Sequence, residues 1–211
     1  IGSNSGYSAT SANNNINIGS NAGYSNNTDQ NIHIGTNAGR YYTSGNHNLY
    51  MGFEAGMGGI VGAGPQNNNI GIGYKALTSI TAADNNVCLG LESGYSVDVG
   101  YRNILIGVGS GYNITNSNDT LAIGYNSAYK NTSSGGIHIG TTAGYNNISG
   151  SENINIGTNA GYTNQSGSYN ICIGLTAGYT NDSGANNIYI GSQAGYNSLG
   201  TDNIYFGYRC G

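Results

Sequence analysis

The sequence predicts an all-β fold: a parallel β-solenoid (β-roll or β-helix) of about thirteen coils of 16–17 residues, forming a single domain over residues 1–211. Three observations predict it. First, a ten-residue phrase recurs almost verbatim, as NINIGSNAGY at 15–24, NINIGTNAGY at 153–162 and NIYIGSQAGY at 187–196. Second, the glycine of its IG step recurs at Gly2, Gly19, Gly35, Gly52, Gly73, Gly90, Gly107, Gly124, Gly140, Gly157, Gly174, Gly191 and Gly207, at spacings of 16 or 17 residues with one exception of 21. Self-similarity at a short fixed period is the signature of a solenoid. Third, the apolar alternation N-I-x-I-G lasts only about five residues, too short for helical turns but right for a strand. Coils stacked at the strand spacing of about 4.8 Å give a rod of roughly 60 Å.

Composition excludes several classes. The 211 residues include 38 Gly, 35 Asn and 19 Tyr, with only 7% charged and a net charge of −4. Such a balance draws the chain neither to nucleic acid nor to an anionic membrane. No apolar run is long enough to span a bilayer, so no membrane insertion is expected. A Gly- and Asn-rich, charge-poor chain could be disordered, but the strict period argues otherwise. The chain opens at Ile1 in mid-repeat and reads as a mature or partial chain.

Each register of the repeat has a physical role. The residues three and one before the marker glycine are apolar throughout, as in Ile16/Ile18, Val87/Leu89 and Ile188/Ile190. Residues two apart on a strand share a face, so these columns are expected to form the core. The residue between them varies from Asn17 through His33, Tyr50 and Cys88 to Tyr205. It is expected to lie half-buried against another chain. A small residue three past the marker, such as Ala22, Ser110 or Ala160, suggests a thin interior. The marker glycine and the glycine of AGY are expected at corners that need positive φ or close backbone approach.

Two columns read as ladders. Asparagine stands four before the marker at Asn15, Asn31, Asn48, Asn69, Asn86, Asn103, Asn153, Asn170, Asn187 and Asn203. Stacked amides can hydrogen-bond along the rod. Tyrosine stands five after it at Tyr7, Tyr24, Tyr95, Tyr112, Tyr129, Tyr145, Tyr162, Tyr179 and Tyr196. Rings about 4.8 Å apart can stack. Both columns read as structural.

The coil NIxIGxxAG resembles the head repeats of trimeric autotransporter adhesins. It resembles more closely the repeats of roughly 17 residues in chlorovirus large repeat glycoproteins and some phage tail fibres; IGIGYKAL (70–77) and LAIGYNSA (121–128) carry that wording. The resemblance implies a left-handed roll, a homo-oligomer of three chains, and an extracellular, cell-surface or virion-surface setting. It is specific for architecture rather than for activity.

Nothing in the sequence points to catalysis, and no cofactor or metal site is expected. A hexapeptide-repeat acyltransferase needs three aliphatic hexads per coil, and only one appears. His33 and His138 share a register but lie about 30 Å apart by strand spacing, too far to cooperate. The nine carboxylates keep no common register, and the G-G-x-G-x-D calcium repeat is absent. Cys88 and Cys172 are five coils apart, beyond disulfide reach, and with Cys210 read as free thiols. A row of threonines for ice binding is interrupted by Leu91, Val108, Tyr125 and Leu175.

Asn-x-Ser/Thr sequons occur at Asn26, Asn113, Asn118, Asn131, Asn147, Asn164 and Asn181. Asn26, Asn131, Asn147, Asn164 and Asn181 all lie seven past a marker, in the turn, where an exposed line of glycans is expected. The irregular coil at 53–69 holds the only proline, Pro65, and an apolar pair, Ile60 and Val61. The functional expectation is a structural subunit of a surface fibre or filament, associating with itself, with end-to-end stacking as one arrangement. The alternative is an adhesin segment whose Tyr and Asn meet surface glycans.

Overall fold

The computed structural model describes residues 1–41, 44–58 and 64–211; Ile60 and Val61 lie outside the described residues. It is a parallel β-solenoid with one three-residue strand per coil. The strands are β1 (Ile16–Ile18), β2 (Ile32–Ile34), β3 (Leu49–Met51), β4 (Ile70–Ile72), β5 (Val87–Leu89), β6 (Ile104–Ile106), β7 (Leu121–Ile123), β8 (Ile137–Ile139), β9 (Ile154–Ile156), β10 (Ile171–Ile173), β11 (Ile188–Ile190) and β12 (Ile204–Phe206). They form one parallel sheet in sequence order, with each strand residue paired to its equivalent in the next coil. Twelve strands enclose eleven turns, fewer than the thirteen coils counted from markers. Ile1 accepts from Gly19 N–H at 2.7 Å and donates from its amino group to Asn17 O at 2.6 Å, but begins no strand.

The marker glycines explain the period. Their φ lies between 119° and 141°, a region that L-residues with a Cβ rarely enter. They also stack directly on one another. A Cβ on Gly124 would stand 2.5 Å from the carbonyl oxygen of Gly140, and one on Gly90 equally close to that of Gly107. Two other positions per coil sit in the left-handed region without being glycine, for example Asn159 (φ 56°) and Glu152 (φ 56°). Asparagine, which tolerates that conformation best among ordinary residues, is common there.

The structure turns the expected core inside out. The middle strand residue faces inward: Tyr50, Cys88, Leu105, Ala122 and Tyr189 are fully buried, and so are His33, His138 and Asn155. The two flanking aliphatic columns face outward and are half-exposed. The physical reason is room. From Gly73 to Gly174 the interior of each coil already holds the residue four before the marker, asparagine in most coils, the small residue three past the marker and the residue seven past it. One strand side chain per coil fills what is left; two β-branched columns would not fit.

That crowding sets a pairing rule within each coil. The glycine four past the marker packs against the middle strand residue. A Cβ on Gly94 would meet the Cys88 sulfur at 2.6 Å, and one on Gly111 would meet Leu105 at 2.8 Å. Elsewhere in the described solenoid the rule relaxes where the middle residue shrinks. Gly71 in β4 lies beside Leu77, and Ala122 in β7 goes with Ala128; both replace the usual glycine at positive φ (54° and 52°). Gly71 also leaves space for its neighbour, since a Cβ there would stand 3.1 Å from the ring of Tyr50.

The rule is testable as a double-mutant cycle. Ala122→Cys, a residue that β5 and β10 accept at this position, is expected to destabilise by about 1–3 kcal/mol through overpacking against Ala128. Adding Ala128→Gly is expected to recover most of it, a coupling of roughly 1 kcal/mol or more by denaturant titration. Additive single effects would contradict the shared interior space.

Candidate functional site

No single locus gathers the chemistry; the candidate features run along the rod as columns. The asparagine column is a buried ladder. The Oδ1 of Asn69 accepts from the backbone N–H of Asn86 at 3.0 Å and from its Nδ2 at 3.1 Å, and the Oδ1 of Asn86 does the same for Asn103 at 3.0 Å each. Each Nδ2 also donates to a backbone carbonyl of the next coil, as Asn86 does to Gly100 O at 2.8 Å and Asn170 to Gly184 O at 2.8 Å. Asn15, Asn31 and Asn48 begin the column, with the Asn15 Oδ1 accepting from the Asn31 N–H at 2.7 Å and the Asn31 Oδ1 from the Asn48 N–H at 2.9 Å. Asn153, Asn170, Asn187 and Asn203 close it. Thr120 and Gly136 interrupt it, although the Asn103 Oδ1 still accepts from Thr120 N–H at 3.0 Å. The amides from Asn31 to Asn187 therefore tie coils together from inside and are out of a ligand's reach, while Asn15 and Asn203 are half-buried.

The tyrosine column is a stack on the outside. Tyr95, Tyr112, Tyr129, Tyr145, Tyr162, Tyr179 and Tyr196 form seven consecutive rings, with centroids 4.8–5.2 Å apart and planes within 15° of parallel. Tyr7 and Tyr24 form a second, shorter stack at 5.2 Å. Each interior ring has both faces covered by its neighbours, so a sugar could stack only at an end of the column. At one end, a shallow cavity of about 350 Å³ is lined by Gln193, Tyr196, Asn197, Arg209 and Gly211. Partial burial, with the neighbouring phenols, holds Tyr129 and Tyr179 above the ordinary tyrosine range.

The sequons divide into two groups, and the expected glycan line is corrected. Asn26, Asn131, Asn147, Asn164 and Asn181 are at most 2% exposed. They point into the coil, in the register that Ile80, Val97 and Ile114 occupy in the central coils. That equivalence was present in the sequence and marks the position as inward. The sequon spelling has a local explanation in two coils. The Oδ1 of Asn26 accepts from the N–H and hydroxyl of Thr28 (3.1 and 2.8 Å), and that of Asn131 accepts from Ser133 in the same way (2.9 and 2.7 Å). These are Asx turns. Asn113 and Asn118 lie half-exposed.

The remaining candidates are interior or isolated. His33 accompanies the Asn17 Oδ1 at 2.8 Å, and His138 lies 3.0 Å from Asn155 Nδ2. Burial, which penalises the charged form, lowers His33 to about 3 and His138 to about 4. Cys88, Cys172 and Cys210 are free thiols. Burial pushes Cys88 and Cys172 up, the latter to about 12, so neither is a nucleophile near neutral pH. Arg102 and Asp119 form a two-pronged exposed pair at 2.6 and 2.7 Å, of the surface kind that contributes little. Among the described residues no group of three His, Cys, Asp or Glu side chains could hold a metal, and no helix is long and apolar enough to cross a membrane.

These features define a tandem-repeat β-solenoid whose columns serve the coil. Compared with known proteins, the chain matches no family model, no curated protein and no solved structure.

Two outcomes follow from the interior. The unfolded chain takes up protons on histidine near pH 6.5, whereas the folded coil resists until about 4 and 3. The histidine contribution to stability is therefore complete above pH 6.5 and lost as pH falls from there toward 4, by an order of a few kcal/mol at about 1.4 kcal/mol per pKa unit. Thermal midpoints at pH 7 and 4.5 are expected to show this fall. His138→Asn, a residue β1 and β9 already carry at this position, is expected to remove about half of the histidine part of this fall, His33 keeping the rest. Separately, peptide mapping of folded protein secreted by a glycosylating host is expected to find Asn26, Asn131, Asn147, Asn164 and Asn181 unmodified, with any glycan confined to Asn113 and Asn118.

Proposed function

We propose that the chain is a structural rod: a segment of a surface fibre or filament that assembles with further copies of itself. One observation carries this reading. Strand pairing runs in register through all twelve strands, and the asparagine ladder and tyrosine stack follow the same axis. A device repeated from coil to coil propagates length and stiffness, with contacts only between neighbours. The isolated, deeply buried histidines and thiols fit packing roles better than chemistry. The likeness of the coil wording to fibre repeats supports a setting outside the cell or on a virion, with glycans only at Asn113 and Asn118.

The adhesin reading keeps one specific foothold, the half-buried tyrosine column from Tyr95 to Tyr196, whose ring edges run along the outside of the rod. Negative-stain electron microscopy together with a glycan array separates the two. A rod of uniform width and about 55 Å length per copy by strand spacing, with no retained glycan, is the outcome expected of a structural segment. Specific glycan retention abolished by Tyr145→Ala would move the function to the tyrosine column. Turnover of an acyl donor would overturn both.

A further inference from the structure

The inversion of the core leaves the rod with an apolar outer face. All strand-flanking positions, two on each of twelve strands, are Ile, Leu, Val, Met or Phe. They face outward and are mostly half-buried, with the fullest exposure inside the array at Ile104, 42%. Just past the corner glycine a further column borders the face. In the central coils it is apolar too: Phe53, Tyr74, Leu91, Val108 and Tyr125 are each more than 40% exposed. Toward both ends the same column is mixed, with hydroxyls at Ser20, Thr36, Thr141 and Thr158 but apolar side chains at Leu175 and Tyr208. Strand pairing alone does not require this pattern. A soluble rod would be served as well by threonine, which shares the β-branched preference for strands.

We propose that two copies of this chain pair face to face across these aliphatic columns, related by a two-fold axis, with their central apolar sections in register. The proposal rests on the reading of the chain as a self-associating rod and names the surface that does it. Three features point to a second copy as the occupant. First, the columns are ridges repeated once per coil, and they interdigitate only with a surface of the same axial repeat. Identical stacked strands give such dry, matched interfaces. A second copy has that repeat by construction. Second, the area is right. A face about 55 Å long by roughly 13 Å wide, from strand spacing and rise, gives about 700 Å² per copy and about 1,400 Å² for the pair, within the range of stable interfaces. It also exceeds the apolar patch an ordinary monomer leaves in water. Third, the face is one sheet without a charged side chain at any strand position. A single face of this kind is self-complementary across a two-fold. A three-fold arrangement needs each chain to present two faces meeting at an angle around the axis.

Sedimentation equilibrium of the whole chain tests this. The expected mass is twice the 21.6 kDa of one chain. Ile104→Lys, in the middle of the face, is expected to raise the pair's dissociation constant at least a hundredfold with unchanged circular dichroism. Gln165→Lys, the same charge change on an exposed turn, is expected to leave it unaltered. Should Ile104→Lys disturb the coil, Leu91→Lys carries the test at a position already 44% exposed. A single-chain mass across concentrations, a three-chain mass, or a two-chain mass indifferent to both lysines would overturn the pairing. Specific glycan retention with an intact two-chain mass would instead sink the passive-rod reading and leave the pairing in place.

Discussion

The structure depends on a close backbone approach. At each marker glycine from Gly2 to Gly191 one coil lies so near the next that a single methyl group would strike the neighbouring carbonyl, about 2.5 Å from it at Gly90 and Gly124. The same residue needs a φ near 130° to turn the corner out of the strand. Both demands fall on one position in every coil, and only glycine meets them. With the corner fixed, strand pairs with strand in register, and every other column is copied upward. The repeat is therefore a geometric constraint before it is a functional one.

The interior is unusual for a fold of this size. Much of it is amide rather than hydrocarbon, yet the ladder is well satisfied. An amide such as Asn86 accepts two bonds from Asn103 and donates to Asn69 and Gly100. Buried polar groups are costly only when unpaired, and a column of identical amides pairs itself. The consequence is specificity of register. A slip by one residue would place the ladder asparagine outside and an aliphatic side chain among amides. The apolar material displaced from the interior lies on the strand face, which makes the rod's outer surface the hydrophobic one.

How much was readable in the sequence follows from which contacts are local in the repeat. The period, the strand positions and the alignment of the asparagine and tyrosine columns were readable, because a side chain stacks on its own copy one coil away. The inward direction was not read from the strands. In I-x-I the aliphatic pair looks like a core, and a three-residue strand carries too little pattern to say otherwise. The clues lay outside the strand. Ile80, Val97 and Ile114 share a register with the turn asparagines, and Leu77 and Ala128 replace glycine where the middle residue is Gly71 or Ala122. Those substitutions make sense only if the middle residue and the following turn share an interior.

The same distinction governs function. The sequon at Asn131 has the spelling of a surface site, but its side chain closes an Asx turn inside the coil. His33 and His138 have a reactive side chain and no access to solvent. The sequence by itself determined the solenoid, its period and its columns, because nearest-neighbour stacking requires only that the same residue return at the same place. The tertiary structure alone decided which columns are core and which are surface. That depends on the curvature of the closed coil and the small volume it encloses, which the three-residue strand pattern does not encode.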